Sequence, residues 1–240
     1  MARKATRSKA RRPASQTKPQ TKSTAAPRDR IVAAFMAMLG ELPIERIGLA
    51  EIADRAGVSL ADLRGEFASP LAILAAHVKA LDRQVLAEID PDMEDESSRE
   101  RLFDVLMHRI ELLSAHKEAV RSLLRSARFD PPLALALNVM AVRSQQWMLT
   151  AAGIDASGPK GMVRAQGLAV LFANVLRTWV DDDEPGLART LATLDRELAR
   201  GQRFAGLLDE LFRIPEALCA LRNRARGTTR RRRREGRAAT

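Results

Sequence analysis

The sequence predicts an all-α protein, built as a small three-helix head followed by a longer helical body. Three observations carry that expectation. Apolar residues recur at three- and four-residue spacing along most of the chain, and no run of alternating β-branched residues occurs. Ala, Leu and Arg, all good helix formers, dominate a composition that is 46% hydrophobic and contains no Tyr. Pro, Gly and Ser stand between the apolar stripes, where helices start and stop.

The stripes can be taken in order. Pro27 suits a first helical turn, and Ile31, Ala34, Phe35, Met38 and Leu39 form one face that ends at Gly40. After a short link, Leu49, Ile52, Ala53 and Ala56 recur at helical spacing, then Gly57-Val58-Ser59, then Leu60, Leu63 and Phe67. Two short amphipathic helices joined by a glycine turn are the helix-turn-helix pattern, which sets its second helix in a DNA major groove. Gly57 can take the left-handed conformation past the first helix, Val58 would plug the angle, and Ser59 would cap the second. An ordinary helical hairpin in an all-α core is the competing reading of this stretch.

Ser69-Pro70 reads as the cap and first residue of a fourth helix, with Leu71, Leu74, Val78, Leu81 and Val85 on one face and an end before Pro91. An acidic link, Asp90–Glu100, leads to Ser97/Ser98 as caps of a helix carrying Leu102, Phe103, Leu106, Ile110 and Leu113. A break near Ala115–His116 precedes a short helix with Val120, Leu123 and Leu124. Pro131-Pro132 starts a long helix to about Ala152, and Gly153–Gly161 is expected to be a loop. The helix from Met162 to Val180 is apolar nearly all round and must be covered on more than one side. Asp181–Glu184 reads as a helix link, and Leu187, Leu191, Leu194 and Leu198 mark a packing seam on the next helix. A short helix is expected around Phe204–Phe212.

The net charge of +10 is unevenly spread. Residues 1–30 hold ten Lys/Arg against one acid, and residues 213–240 hold ten Arg against two acids. The middle is an acidic body, with twenty Lys/Arg against twenty-seven Asp/Glu. Residues 1–26 and 214–240 are expected to be disordered basic arms, because segments so poor in large apolar residues cannot offset their ordering entropy. Such arms attract nucleic-acid phosphates, or act as solubilising or lipid-attracting tails. The single cysteine, Cys219, excludes an internal disulfide and suits a reducing, cytoplasmic setting. Uncharged apolar runs such as Ala165–Leu176 and Pro131–Val142 are too short to span a bilayer, so no membrane partner is expected.

A basic leader, then RIVAAFMAMLGELPIERIGLAEIADRAGVSLADLRGEFASPLAIL, then an all-helical body resembles the TetR family of bacterial repressors. The telling pieces are AAFMAMLGE before the motif, IADRAGVS inside it, and Phe67 and Leu74 after it; motif-level likeness covers about residues 28–75. The resemblance implies a head over residues 27–70, and a ligand-binding and dimerisation body over 71–213. It also implies a homodimer joined mainly by the last two long helices, a double-stranded DNA operator, and a small apolar effector whose binding releases the DNA. DNA contact would come from the motif, here Leu49, Gly57, Val58, Ser59, Leu60, Asp62, Arg64 and Phe67.

Several positions depart from the family pattern. Asp62 precedes Leu63, Arg64 stands where Tyr is common, Glu66 where His is common and Pro70 where Lys is common. The usual Tyr and Lys would hold phosphates and set docking register. The segment 31–83 holds five Lys/Arg against seven acids, unusual for a DNA-docking module. Asp62 and Glu66 would repel the DNA backbone unless Arg55 or Arg64 neutralised them. A second reading is therefore a lipid- or isoprenoid-binding protein on the same fold that no longer reads DNA. In its favour, TWVDDDEPGLARTLATLDREL somewhat resembles the closing region of the ubiquinone-biosynthesis lipid-binding relatives of TetR.

Phe103, Met107, Phe129, Met140, Trp147 and Met148 are candidates to line the effector pocket, with plain core packing as the alternative. His77, His108 and His116 are dispersed without metal-ligand spacing, and no cofactor is expected. No nucleophile motif, phosphate loop or paired carboxylate argues for an enzyme.

Overall fold

The computed structural model describes residues 26–89, 93 and 95–203, and these are helical throughout, with no strand among them. The expected basic arms and the helix expected around Phe204–Phe212 lie outside the described residues, apart from Ala26. Eight helices are complete: α1 (Pro27–Glu41), α2 (Leu49–Ala56), α3 (Leu60–Glu66), α4 (Pro70–Ala87), α5 (Ser98–Leu113), α6 (Lys117–Phe129), α7 (Pro131–Ala151) and α8 (Gly158–Trp179). A ninth, α9, is helical over 188–203.

The helix starts follow the local chemistry. Proline occupies the first turn of α1, α4, α7 and α8, where a missing N–H costs nothing. Ser69 Oγ accepts from the Ala72 N–H at 3.2 Å to cap α4, and Asp130 Oδ1 accepts from the Leu133 N–H at 3.0 Å to cap α7. At α5, Ser97 and Glu100 exchange reciprocal caps of 3.3 and 3.1 Å.

One boundary differs from the sequence expectation. The link between α7 and α8 is shorter than Gly153–Gly161, because α8 already begins at Gly158. Gly161 is a helical residue, and it is glycine for a steric reason: a Cβ there would lie 2.0 Å from the Ala156 carbonyl carbon. Glycine here marks a close approach of two backbone segments, a use that sequence spacing cannot separate from a loop.

The core falls into two clusters. One gathers α1, α2, α3 and the first half of α4 around Ile31, Phe35, Leu39, Ile52 and Ile73, and is completed by Ala119 and Leu123 from α6. The other gathers α5, α7, α8 and α9 with the second half of α4, around Leu106, Ile110, Met148, Val175 and Trp179. Each such fully buried side chain contributes roughly 1.5–3 kcal/mol of burial. α1 packs on α6, and α4 touches α1 at one end and α5 and α7 along its length, so these helices bridge the clusters.

The Asp181–Glu184 link is a fastening. Asp182 is fully buried, and its Oδ2 accepts from the Thr190 N–H (2.9 Å) and hydroxyl (2.7 Å), which ties down the first turn of α9. Those bonds hold its carboxyl below the usual range. Lys117 Nζ donates to the Asp182 carbonyl at 2.7 Å and to Asp183 at 2.8 Å, joining the start of α6 to the same link. In α9, Leu194 and Leu198 turn into the core of their own chain, and Leu187, just before α9, packs against the same cluster, so most of the expected leucine seam is used internally.

Gly161→Ala is expected to destabilise the fold by at least the ~1–3 kcal/mol of an overpacked core position. Chemical denaturation monitored by far-ultraviolet circular dichroism reads this directly; an unchanged midpoint would show that the α7–α8 approach is looser than described.

Candidate DNA-reading head and body cavity

The glycine turn has the geometry its sequence asks for. Gly57 sits at φ 62°, in the left-handed region, and its N–H and that of Val58 close the end of α2 on Asp54 and Ala53. Arg30 of α1 donates to the Ala56 and Gly57 carbonyls, both at 3.2 Å, and so clamps the turn. Val58 is half-buried against the head cluster, in the plugging position. Ser59 Oγ accepts from the Asp62 N–H at 3.0 Å, and Asp62 Oδ2 accepts from the Ser59 hydroxyl at 2.7 Å and N–H at 3.2 Å.

That capping box changes the meaning of Asp62. Its carboxylate is held by Ser59, whose hydrogen bonds lower its pKa, and it serves the start of α3. Glu66 is answered by Arg28 at 3.2 Å, and the Arg28 guanidinium also lies over the Phe67 ring at 4.6 Å. Neither acid is neutralised by Arg55 or Arg64. Arg55 is instead held by Glu41 at 2.6 Å, while Arg64 is exposed with no hydrogen bond or ion pair among the described residues.

Of the residues expected on DNA, Leu49, Gly57, Ser59, Leu60, Asp62 and Arg64 are exposed. Leu60 is 55% exposed, a large apolar side chain presented to solvent at the first position of α3. Phe67 is the correction: only 5% of it is accessible, because it closes the head core beneath Arg28, and it cannot reach a base.

A second feature lies in the body. A cavity of about 1090 Å³ opens between α4, α6, α7 and α8, with Met36 of α1 and Arg109 and Leu113 of α5 in its wall. It sits on the boundary between the two hydrophobic clusters. Met36, Leu74, Leu123 and Met140 come from the head side, and Leu81, Leu113, Phe172 and Val180 from the body side. Asp82 and Arg109 form a buried ion pair at the cavity, with the Ser144 hydroxyl donating to Asp82 at 2.7 Å.

Of the six pocket candidates, only Met140 lines this cavity. Met148 is fully buried in the body core, and Phe103 and Met107 pack half-buried against the same cluster. Phe129 and Trp147 point outward, 82% and 59% exposed, on the solvent sides of α6 and α7. Helical spacing gives an apolar face but not which of several neighbours it meets, and the cavity lies along a different face. The polar lining residues His77, Arg109 and Gln145 escaped the sequence reading because each looks like an ordinary surface residue on its stripe.

Burial, reinforced by the neighbouring His116 and Arg109, holds the His77 imidazole at about 4. His116 meets it edge to face at 4.7 Å. Among the described residues no group of His, Cys, Asp and Glu is arranged to hold a metal ion, and no helix is long and apolar enough to cross a membrane.

Comparison with solved structures places this fold. A TetR transcriptional regulator from Nitrosomonas europaea superposes with a TM-score of 0.58 at 21% identity, over 74% of this chain and 99% of that one. One from Rhodococcus sp. RHA1 gives 0.53 at 20% identity, over 73% and 95%. A TetR-family regulator from Streptomyces coelicolor gives 0.51 at 13% identity, over 77% and 83%. No protein-family model matches the sequence, and no curated protein is significantly similar to it.

Because the unfolded chain protonates His77 more readily than the native one, the stability gained by keeping it neutral is complete above about pH 6.5. It is lost as pH falls from about 6.5 towards 4. Denaturation midpoints across that window should fall in the native chain and fall less in His77→Gln, by up to roughly 3 kcal/mol. Identical pH profiles would remove the buried histidine as a source of acid sensitivity.

Proposed function

Taking the TetR-like fold of this chain as the premise, we propose that it is a homodimeric DNA-binding transcriptional regulator whose hold on its operator is released by a small molecule seated in the body cavity. The observation that carries this reading is the pairing of an intact helix-turn-helix with a cavity on the head–body boundary. Filling that cavity bears on Met36 of α1 and Leu74 of α4, two helices that form the head core, and so can shift the reading face.

The N-terminal part of α3 would lie in the major groove, with Ser59, Leu60 and Arg64 towards the base edges. Arg64 is the candidate for a phosphate contact or a guanine contact. The basic arms would add affinity that is independent of sequence and falls with salt. For the dimer, the exposed apolar side chains Trp147 on α7 and Met162 and Val170 on α8 supply a face that a second copy would cover.

The second reading, a lipid-binding protein without DNA readout, draws on the charge of the head. Arg28, Arg30 and Arg55 are engaged within the chain, which leaves few free cations to meet phosphates. A fluorescence titration of the full-length chain separates the two, with genomically selected fragments set against bulk competitor DNA across a salt series. The regulator reading expects selective binding that persists as salt weakens the background. Arg64→Ala should then cost about 1–3 kcal/mol of operator affinity. Selectivity that never rises above the competitor would favour the second reading.

A further inference from the structure

The charge around the cavity is sorted by depth. The exposed residues of its lining are the apolar Val170, one acid, Asp181, and three cations: Arg125 and Arg128 of α6 and Arg177 of α8. Asp181 is itself within 3.8 Å of a further arginine, Arg121. Arg125 and Arg128 have no hydrogen bond or ion pair among the described residues, and the Arg128 guanidinium lies 5.8 Å from the centre of the Phe129 ring. Arg177 is bonded to a neutral partner, Asn174, at 2.7 Å. The opening therefore carries a net cationic charge.

The interior is different. Its buried cation, Arg109, is 5% exposed and neutralised by Asp82, and the half-buried Arg121 is paired with Glu118, so a second buried anion there would be left uncompensated. Hydrogen-bonding capacity remains, however. Arg109 Nε, His77 Nε2 and the Oε1 of Gln145, a residue only 1% exposed, are buried without a partner among the described residues, and all three residues line this cavity. Buried polar atoms of this kind are ordinarily satisfied. The remaining wall is mainly apolar, and the volume stands at the upper end of small-molecule sites, roughly 300–1,000 Å³.

We propose that the cavity takes an elongated anionic amphiphile, its apolar body between α4, α6, α7 and α8 and its acid head at Arg125, Arg128 and Arg177. A neutral oxygen on the body, a hydroxyl or carbonyl, would meet the interior polar atoms. This sharpens the expected apolar effector into a long-chain acid. As the effector of a regulator it rests on the function proposed above; as the ligand of this cavity it does not.

The test is calorimetric titration of the full-length protein with hexadecanoate, hexadecyl phosphate, hexadecanol and a hexadecyl quaternary ammonium salt, each below its micelle threshold. The acids should bind, and the alcohol should bind at least about tenfold more weakly, the scale of one charge-assisted hydrogen bond. Relative strength of the carboxylate and the phosphate identifies the head group. Arg125→Gln with Arg128→Gln should weaken the acids about tenfold and leave the alcohol unchanged. Arg143→Gln, an exposed arginine of α7 outside the cavity, should change neither. Equal affinity for acid and alcohol, preference for the ammonium salt, absence of binding, or indifference to the double substitution would each overturn the proposal. The DNA titration is read separately: acid binding without selective DNA binding would retain the ligand and reject the regulator.

Discussion

The sharing of α6 between two hydrophobic clusters is the constraint on which the rest of this structure depends. Ala119 and Leu123 complete the core of the helix-turn-helix head, while Val120 and Leu124 on the same helix pack against the body. A seven-residue α3 and an eight-residue α2 cannot bury enough apolar surface alone, so the head borrows a wall from the body. Polar ties follow the same route: Ser122 donates to the Leu42 carbonyl at 3.1 Å and Ser126 to Glu45 at 3.0 Å. The head is thus held by a helix that also forms one side of the cavity, and a change in that cavity has a short mechanical path to the turn.

Electrostatics is arranged with equal economy. The acidic character of the head looks hostile to DNA when counted along the sequence, yet several of its acids have work inside the fold. Asp62 caps α3, Glu51 accepts from the Gly48 N–H at 2.8 Å to begin α2, Glu66 holds Arg28 and Glu41 holds Arg55. The exposed pairs among these contribute little stability, because water screens them. Their consequence is positional: they fix which side chains remain available, and on α3 the available cation is Arg64. The body repeats the pattern in a drier setting, where Asp82 balances Arg109 so that the cavity interior is polar but neutral.

Much of the fold was legible in the chain. Gly57 and Ser59 specify their turn because only a left-handed residue followed by a good cap fits between two stripes so close together, and the Ser-Pro and Asp-Pro-Pro signals mark where α4 and α7 begin. The site was less so. Phe67 was expected at DNA because it lies within the motif, but an aromatic four residues after Leu63 on the same stripe is as well placed to close the core beneath it, and it does. Phe129 and Trp147 were expected inside because large apolar side chains usually are, and they face outward.

What the sequence determined by itself is local: helix starts, the turn, the apolar stripes and the segregation of charge between the ends and the middle. These depend on propensity, capping and period, all of which act over a few residues. What only the tertiary structure decided is which stripes share a core and which polar groups share a cavity. Leu194 and Leu198 chose their own chain, Gly161 is glycine because Ala156 crosses it, and Arg125 and Arg128 meet Arg177 at one opening although the whole of α7 separates them in sequence. Those outcomes depend on packing between distant segments, and no local pattern encodes that.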